Sequence, residues 1–152
     1  FSKSQVHEES KPRILALHGA RSNNDVTKLQ LDNLHITEDQ YDIVYLRGLI
    51  HSEEGDPNLQ GLMHGPFYSW IDTAEDTMGL TLLNAVRDVL LVVKNHGPFD
   101  GIYGFSSGAV VAAIAAGVAM DPDLRDMIYS ENEYEHCQLS RFDNEYQHGH
   151  SG

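Results

Sequence analysis

The residues best placed to do chemistry are Gly104-Phe105-Ser106-Ser107-Gly108. They stand between a short apolar stretch ending in Ile102 and Tyr103 and a run dominated by Ala and Val from Ala109 to Val118. Taken as strand, sharp turn and helix, this is the setting in which G-x-S-x-G presents a nucleophile. A strand that passes directly into a helix forces the middle residue into a strained backbone conformation, and glycine on either side removes side chains that would collide there. Ser106 is then pushed outward with its hydroxyl exposed. The amide of Ser107 falls in the first turn of the helix, where N–H groups lack intrahelical acceptors, so it can point at a developing negative oxygen with the helix dipole behind it. The chemistry so announced is acyl transfer. The five residues alone also fit a plain helix start with Ser106 or Ser107 as N-cap. The strand-like flank and the close-packing alanines favour the turn.

Other elements must bring the rest of a site to that turn. Ile14-Leu15-Ala16-Leu17 is a continuous apolar run of the kind found in a central parallel strand covered on both faces. A loop follows from His18 to Asn24, with Asn24 or Asp25 as helix cap and Val26, Leu29 and Leu34 as the apolar positions of the helix. Asp42 to Leu46 reads as the second strand, and Gly48 to Gly65 as a loop with turn signals at Gly55, Asp56 and Pro57. Gly65-Pro66-Phe67-Tyr68-Ser69-Trp70 gathers aromatic rings that either line a pocket or plug the sheet edge. Leu80, Leu83, Val86, Leu90 and Val93 recur at helical spacing over Thr77 to Lys94, and Gly97-Pro98 stops that helix. Strand and helix alternate three times, which predicts an α/β sandwich with a mainly parallel sheet and the strand near Ile102 lying centrally beside the Ile14 strand. Ligands in such sheets sit beyond the carboxyl ends of the strands, where the His18 loop, the loop after Leu46 and Ser106 all fall.

The bulk properties narrow the partners. With 152 residues the chain is one domain or part of one. A formal net charge of -13 argues against nucleic acid and against an anionic membrane surface. Cys137 is the single cysteine, so no intrachain disulfide framework exists, which suits the cytoplasm or another reducing compartment, or an organelle reached after removal of a transit peptide. No run is long and apolar enough for a transmembrane segment, and Ala109 to Met120 reads as a short buried helix. The first residue is Phe1, so the sequence reads as processed, trimmed or incompletely represented.

R-I-L-A-L-H-G at 13 to 19, Y-D-I-V-Y-L at 41 to 46, G-P-F-Y-S-W at 65 to 70, V-R-D at 86 to 88 and G-P-F-D-G-I-Y-G-F-S-S-G-A at 97 to 109 together resemble the fungal-type FSH1 serine hydrolases, a branch of the α/β-hydrolases. The resemblance runs from about Arg13 to Val118. It implies an α/β-hydrolase-like three-layer sandwich, here ending soon after the helix that follows Ser106. It divides the chain into a polar leader (1–12), the amino-terminal part of a hydrolase domain (13–120) and an acidic polar tail (121–152). It implies hydrolysis of carboxylic esters or thioesters through an acyl-enzyme, with neither a metal nor an organic cofactor. Ser106 matches the nucleophile, the backbone amides of Ser107 and Ala20 match the oxyanion donors, and Gly104 and Gly108 match the glycines of the elbow. His18 matches a histidine that shapes its loop and is not the base.

A serine hydroxyl needs a base held against it, and in this fold the order along the chain is Ser, then acid, then His. Only 46 residues follow Ser106, and they show no recognisable strands to carry an acid and a base. The stand-ins are Asp121, Asp123, Asp126 and Asp143 with His136, His148 and His150, none at a telling spacing; His148 and His150 also lack the further ligands a stable metal site needs. Three readings follow: part of a longer hydrolase, a natural truncation, or a non-catalytic binding or structural subunit on the same scaffold. In each, the sheet ends at an open edge, which invites another chain or a carboxyl-terminal segment to pair with it. If the chain is active, its partner is a small acyl-ester substrate.

Overall fold

The computed structural model describes residues 9–130. Three strands form one parallel sheet: β1 (Arg13–Leu17), β2 (Asp42–Leu46) and β5 (Gly101–Gly104), in the order β2-β1-β5. Leu15 lies opposite both Val44 and Ile102, and Leu17 opposite both Leu46 and Gly104, so the three strands end level at their carboxyl ends. The parallel arrangement agrees with the expectation from sequence. The placement differs: β1 is central, and β5 takes the outer position among the described residues. The reason is one of numbers, since β5 would need a strand beyond it to become central and none is found among residues 9–130.

β1 is the strand with apolar residues on both faces, and Leu15, Ala16 and Leu17 are fully buried. Leu15 and Leu17 join Leu46 against Val86, Val89, Leu90, Val111, Ala112 and Ala115, which come from α2 (Met78–His96) and α3 (Ser107–Ala119). On the opposite face Ala16 and Ile43 pack with Leu31 of α1 (Asn24–Asn33), with Tyr45 and Tyr103 at the margin. This is the three-layer sandwich of an α/β-hydrolase-like fold, mainly parallel at its centre. A final helix, α4 (Pro122–Tyr129), brings Ile128 and Tyr129 onto the larger cluster.

Details of the helices depart from the pattern. Asn23, not Asn24 or Asp25, caps α1, because its side chain can accept from the N–H of Val26 three residues on, at 3.1 Å. The buried line of α1 runs through Thr27 and Leu31, while Leu29 and Leu34 are exposed. In α2 the first apolar positions are open to solvent, Leu80 at 62% and Leu83 at 64% exposure, whereas Ala85 to Val92 is buried apart from Arg87, which is half-buried. Nor is α3 buried all round: Val110 and Ile114 face outward at 47% and 39%. Among the described residues no single helix is long and apolar enough to cross a membrane; α3 and α4 reach that length only together, across a bend of 105°.

The stretch from Gly48 to Gly65 is not all loop. β3 (Ile50–Ser52) pairs antiparallel with β4 (Phe67–Ser69) in a small ribbon, His51 opposite Tyr68. The aromatic cluster therefore has split roles. Phe67 and Tyr68 are half-buried on the ribbon, and Trp70 is a core residue at 1% exposure.

Candidate active site

β5 runs into α3 through Phe105 and Ser106 alone. Ser106 has φ 54° and ψ −122°, a region that residues with a side chain rarely adopt, and its side chain makes no capping hydrogen bond to the helix. It is exposed at the carboxyl end of the sheet. An ordinary N-cap serine would sit in extended backbone with its hydroxyl on the helix amides; Ser106 does neither.

The two glycines follow from the crowding. A Cβ on Gly104 would stand 2.5 Å from the carbonyl oxygen of Gly108 and 2.7 Å from the Cα of Ala109. A Cβ on Gly108 would strike the carbonyl oxygens of His18 and Leu17, the latter at 2.8 Å. Each glycine thus lets one backbone touch another: strand on helix at Gly104, and helix on the end of β1 at Gly108. That second contact brings the loop after β1 to the serine. The ideal Cβ position of Gly19 is 3.6 Å from the Cβ of Ser106. Ser107 opens α3, and its Oγ is buried without a partner among the described residues.

His18 is fully buried. Its Nε2 accepts the N–H of Gly48 at 2.9 Å. The proton must then sit on Nδ1, which donates to the carbonyl of Gly19 at 2.6 Å. The carbonyl of His18 accepts the indole N–H of Trp70 at 2.9 Å, and the two rings lie 5.3 Å apart. His18 therefore ties the end of β1 to the loop after β2 and to Trp70, with both ring nitrogens engaged.

The ribbon holds the same loop from the other side. Arg21 has φ 48°. Its N–H donates to Ser69 Oγ at 3.0 Å, and its carbonyl accepts the N–H of Asp56 at 2.9 Å. Ser22 and Tyr68 exchange a pair of backbone hydrogen bonds, at 3.0 and 2.7 Å. Asn23 donates from its side chain to the carbonyls of His64 and Pro66. These partners were not legible as site residues. The sequence signal is a serine after two larger residues in both Ile50-His51-Ser52 and Phe67-Tyr68-Ser69.

Among the described residues no hydrogen bond joins Ser106 Oγ to a histidine or a carboxylate. Asp121, Asp123 and Asp126 lie beyond the far end of α3, a 13-residue helix. At a rise of about 1.5 Å per residue that is on the order of 20 Å from Ser106. Asp121 caps α4, and Asp126 pairs with Arg125 at 3.2 Å. Asp143, His136, His148 and His150 lie outside the described residues. Among residues 9–130 no three His, Cys, Asp or Glu side chains gather as a metal would require. Tyr103, beside the turn, titrates above its ordinary value because burial penalises the phenolate.

The model of the serine hydrolase family FSH1 matches residues 7–139. This chain belongs to the FSH1 serine hydrolase family. Among similar proteins, the hydrolase phiM of Talaromyces stipitatus is 32% identical over 123 residues, which cover 76% of this chain and 49% of that protein. The esterase FUS5 of Gibberella moniliformis is 28% identical over 109 residues, covering 68% of this chain and 47% of the relative. The chain thus spans about half the length of these curated relatives. A solved structure of a protein from Bacillus cereus ATCC 10987 aligns with a TM-score of 0.47 at 16% identity, over 80% of this chain and 33% of the other.

Proposed function

We propose that the chain carries the nucleophile and oxyanion half of a serine hydrolase site that acts on carboxylic esters or thioesters through an acyl-enzyme. The observation that carries this reading is Ser106 itself, exposed at φ 54° between two glycines that have no room for a side chain. Ser106 Oγ attacks the ester carbonyl and its proton leaves to a base; the carbonyl oxygen becomes an anion, and the alcohol or thiol departs as the carbonyl re-forms. Water then repeats the sequence and releases the acid. The amide of Ser107 and that of Ala20 serve the anion. Of the three loop N–H groups from Ala20 to Ser22, those of Arg21 and Ser22 are already engaged, which leaves Ala20. Names among the relatives, hydrolase and esterase, agree with this class of chemistry.

The second reading is a non-catalytic hydrolase-fold subunit, and the observation in its favour is the lack of a histidine or carboxylate on Ser106 Oγ among the described residues. Both readings share the outer side of β5 as the place where a further strand pairs, from another chain or from the remainder of a longer one.

Incubation with p-nitrophenyl butyrate and mass mapping of the peptide that holds Ser106 separates the two. The first reading expects a butyryl adduct on Ser106 and none in Ser106→Ala. Turnover by this chain alone should stay low, because a serine hydrolase without its base keeps only about 10^3 to 10^4-fold acceleration over water. An unmodified Ser106 after prolonged exposure would sink the first reading and favour the second.

A further inference from the structure

Arg21 holds a left-handed backbone, φ 48°, that its side chain disfavours, one residue after the amide assigned to the oxyanion. Something outside the loop must keep it there. The backbone bonds to Asp56 and Tyr68 fix the carbonyl of Arg21 and the whole of Ser22. The N–H of Arg21 depends instead on a side chain, Ser69 Oγ at 3.0 Å. Ser69 is buried at 7% exposure, and its hydroxyl lies 3.1 Å from that of Ser52 on the paired strand. A buried hydroxyl with two neighbours in hydrogen-bond range has little freedom to turn away.

We infer that Ser69 is a positioning residue for the oxyanion hole: by accepting the Arg21 N–H it fixes the Ala20–Arg21 peptide plane on one side of the Ala20 Cα, while His18 Nδ1 holds the Gly19 carbonyl on the other, so that the Gly19–Ala20 plane between them keeps the N–H of Ala20 aimed at the space beside Ser106. This rests on the reading of Ser106 as nucleophile and Ala20 as donor. The effect belongs to the tetrahedral state. A neutral ester carbonyl is a weak acceptor and tolerates a misaligned donor, whereas an oxyanion does not. Ser52 supports the arrangement at one remove, by holding the Ser69 hydroxyl.

n-Butylboronic acid tests this without a general base. The Ser106 oxygen donates a lone pair to boron, the B–O bond forms, the hydroxyl proton passes to buffer, and boron becomes a tetrahedral anion with an oxygen in the oxyanion position. Boron NMR reads the tetrahedral fraction, and the 1H–15N shift of the Ala20 amide reads the contact. Ser69→Ala should bind the boronate about tenfold more weakly, as expected when a transition-state donor is misaligned and not deleted. Its Ala20 shift on adduct formation should shrink, and Ser69→Thr should restore both. If Ser69→Ala does not fold, Ser69→Cys gives the same comparison with a poorer acceptor of similar size. Should the parent chain form no tetrahedral boronate, or form it equally in Ser106→Ala, the nucleophile reading falls and this inference with it. Should the adduct require Ser106 yet form with equal affinity and an equal Ala20 shift in Ser69→Ala, the nucleophile reading stands and the role of Ser69 is overturned.

Discussion

The two flanks of Ser106 are built to different standards. Toward β1, the loop from His18 to Asn23 is tied at nearly every residue: the His18 ring to Gly48, its carbonyl to Trp70, Arg21 to Ser69 and Asp56, Ser22 to Tyr68, and Asn23 to His64 and Pro66. Away from β1, the outer side of β5 has no partner strand among the described residues, and Val110 and Ile114 lie open on α3, the helix packed on β5. The flank toward β1, which the proposed function makes the oxyanion side, is thus tied within residues 13–108, and the flank beyond β5 is open among the described residues. Preorganised donors need rigid backing, because they act only if they do not reorganise when charge develops. The tied flank has that backing.

Substitutions can break this contrast. The largest loss should come from Gly108→Ala, since the new methyl meets backbone oxygens of His18 and Leu17 that cannot step aside; overpacking of this kind should cost about 3 kcal/mol or more in urea unfolding. A loss under 1 kcal/mol would show that the contact between helix and β1 is looser than described. Trp70→Phe keeps most of the ring but removes the donor to the His18 carbonyl, and should cost about 1–3 kcal/mol in the same assay. An unchanged midpoint would mean that the indole bond contributes nothing. Ser106→Gly should move the other way, stabilising by about 1 kcal/mol as the strained φ is relieved, while abolishing acyl capture. If it destabilises, the turn is not strained. At the exposed start of α2, Leu80→Gln and Leu83→Gln should each change stability by less than about 0.5 kcal/mol. A larger loss in either would reveal packing on that surface in solution.

Legibility followed the same division. β1 and β2 announce themselves because a strand buried on both faces must be apolar throughout, and Ser106 because only glycine survives where backbones touch. The fixings of the loop after β1 are hidden. β3 and β4 have three residues each, too short to establish an alternation, and their contribution is a serine hydroxyl that looks like any loop serine. The cap falls at Asn23 and not at Asn24 or Asp25, because these neighbouring residue types all suit a cap and only the bond to Val26 distinguishes them. Leu80 and Leu83 carry the right period for a core, but periodicity does not say whether a neighbour is present. The outer position of β5 was unreadable for the same reason: an apolar strand names its faces and not its edges.

The pairing of β1 has a consequence for how the chain comes together. Arg13, at the start of β1, is bound through its N–H to the carboxylate of Asp100, 87 residues later. β1 therefore waits for β5 before its second edge is covered, and only then does Ser106 meet the loop at Gly19. The ribbon of β3 and β4 spans far less chain and can close while β5 is still being made. Contacts so distant in sequence fold slowly. During synthesis the ribbon's hold on the loop after β1 can form before Ser106 reaches that loop, and nascent chains stopped short of Gly101 carry an apolar strand with one edge open.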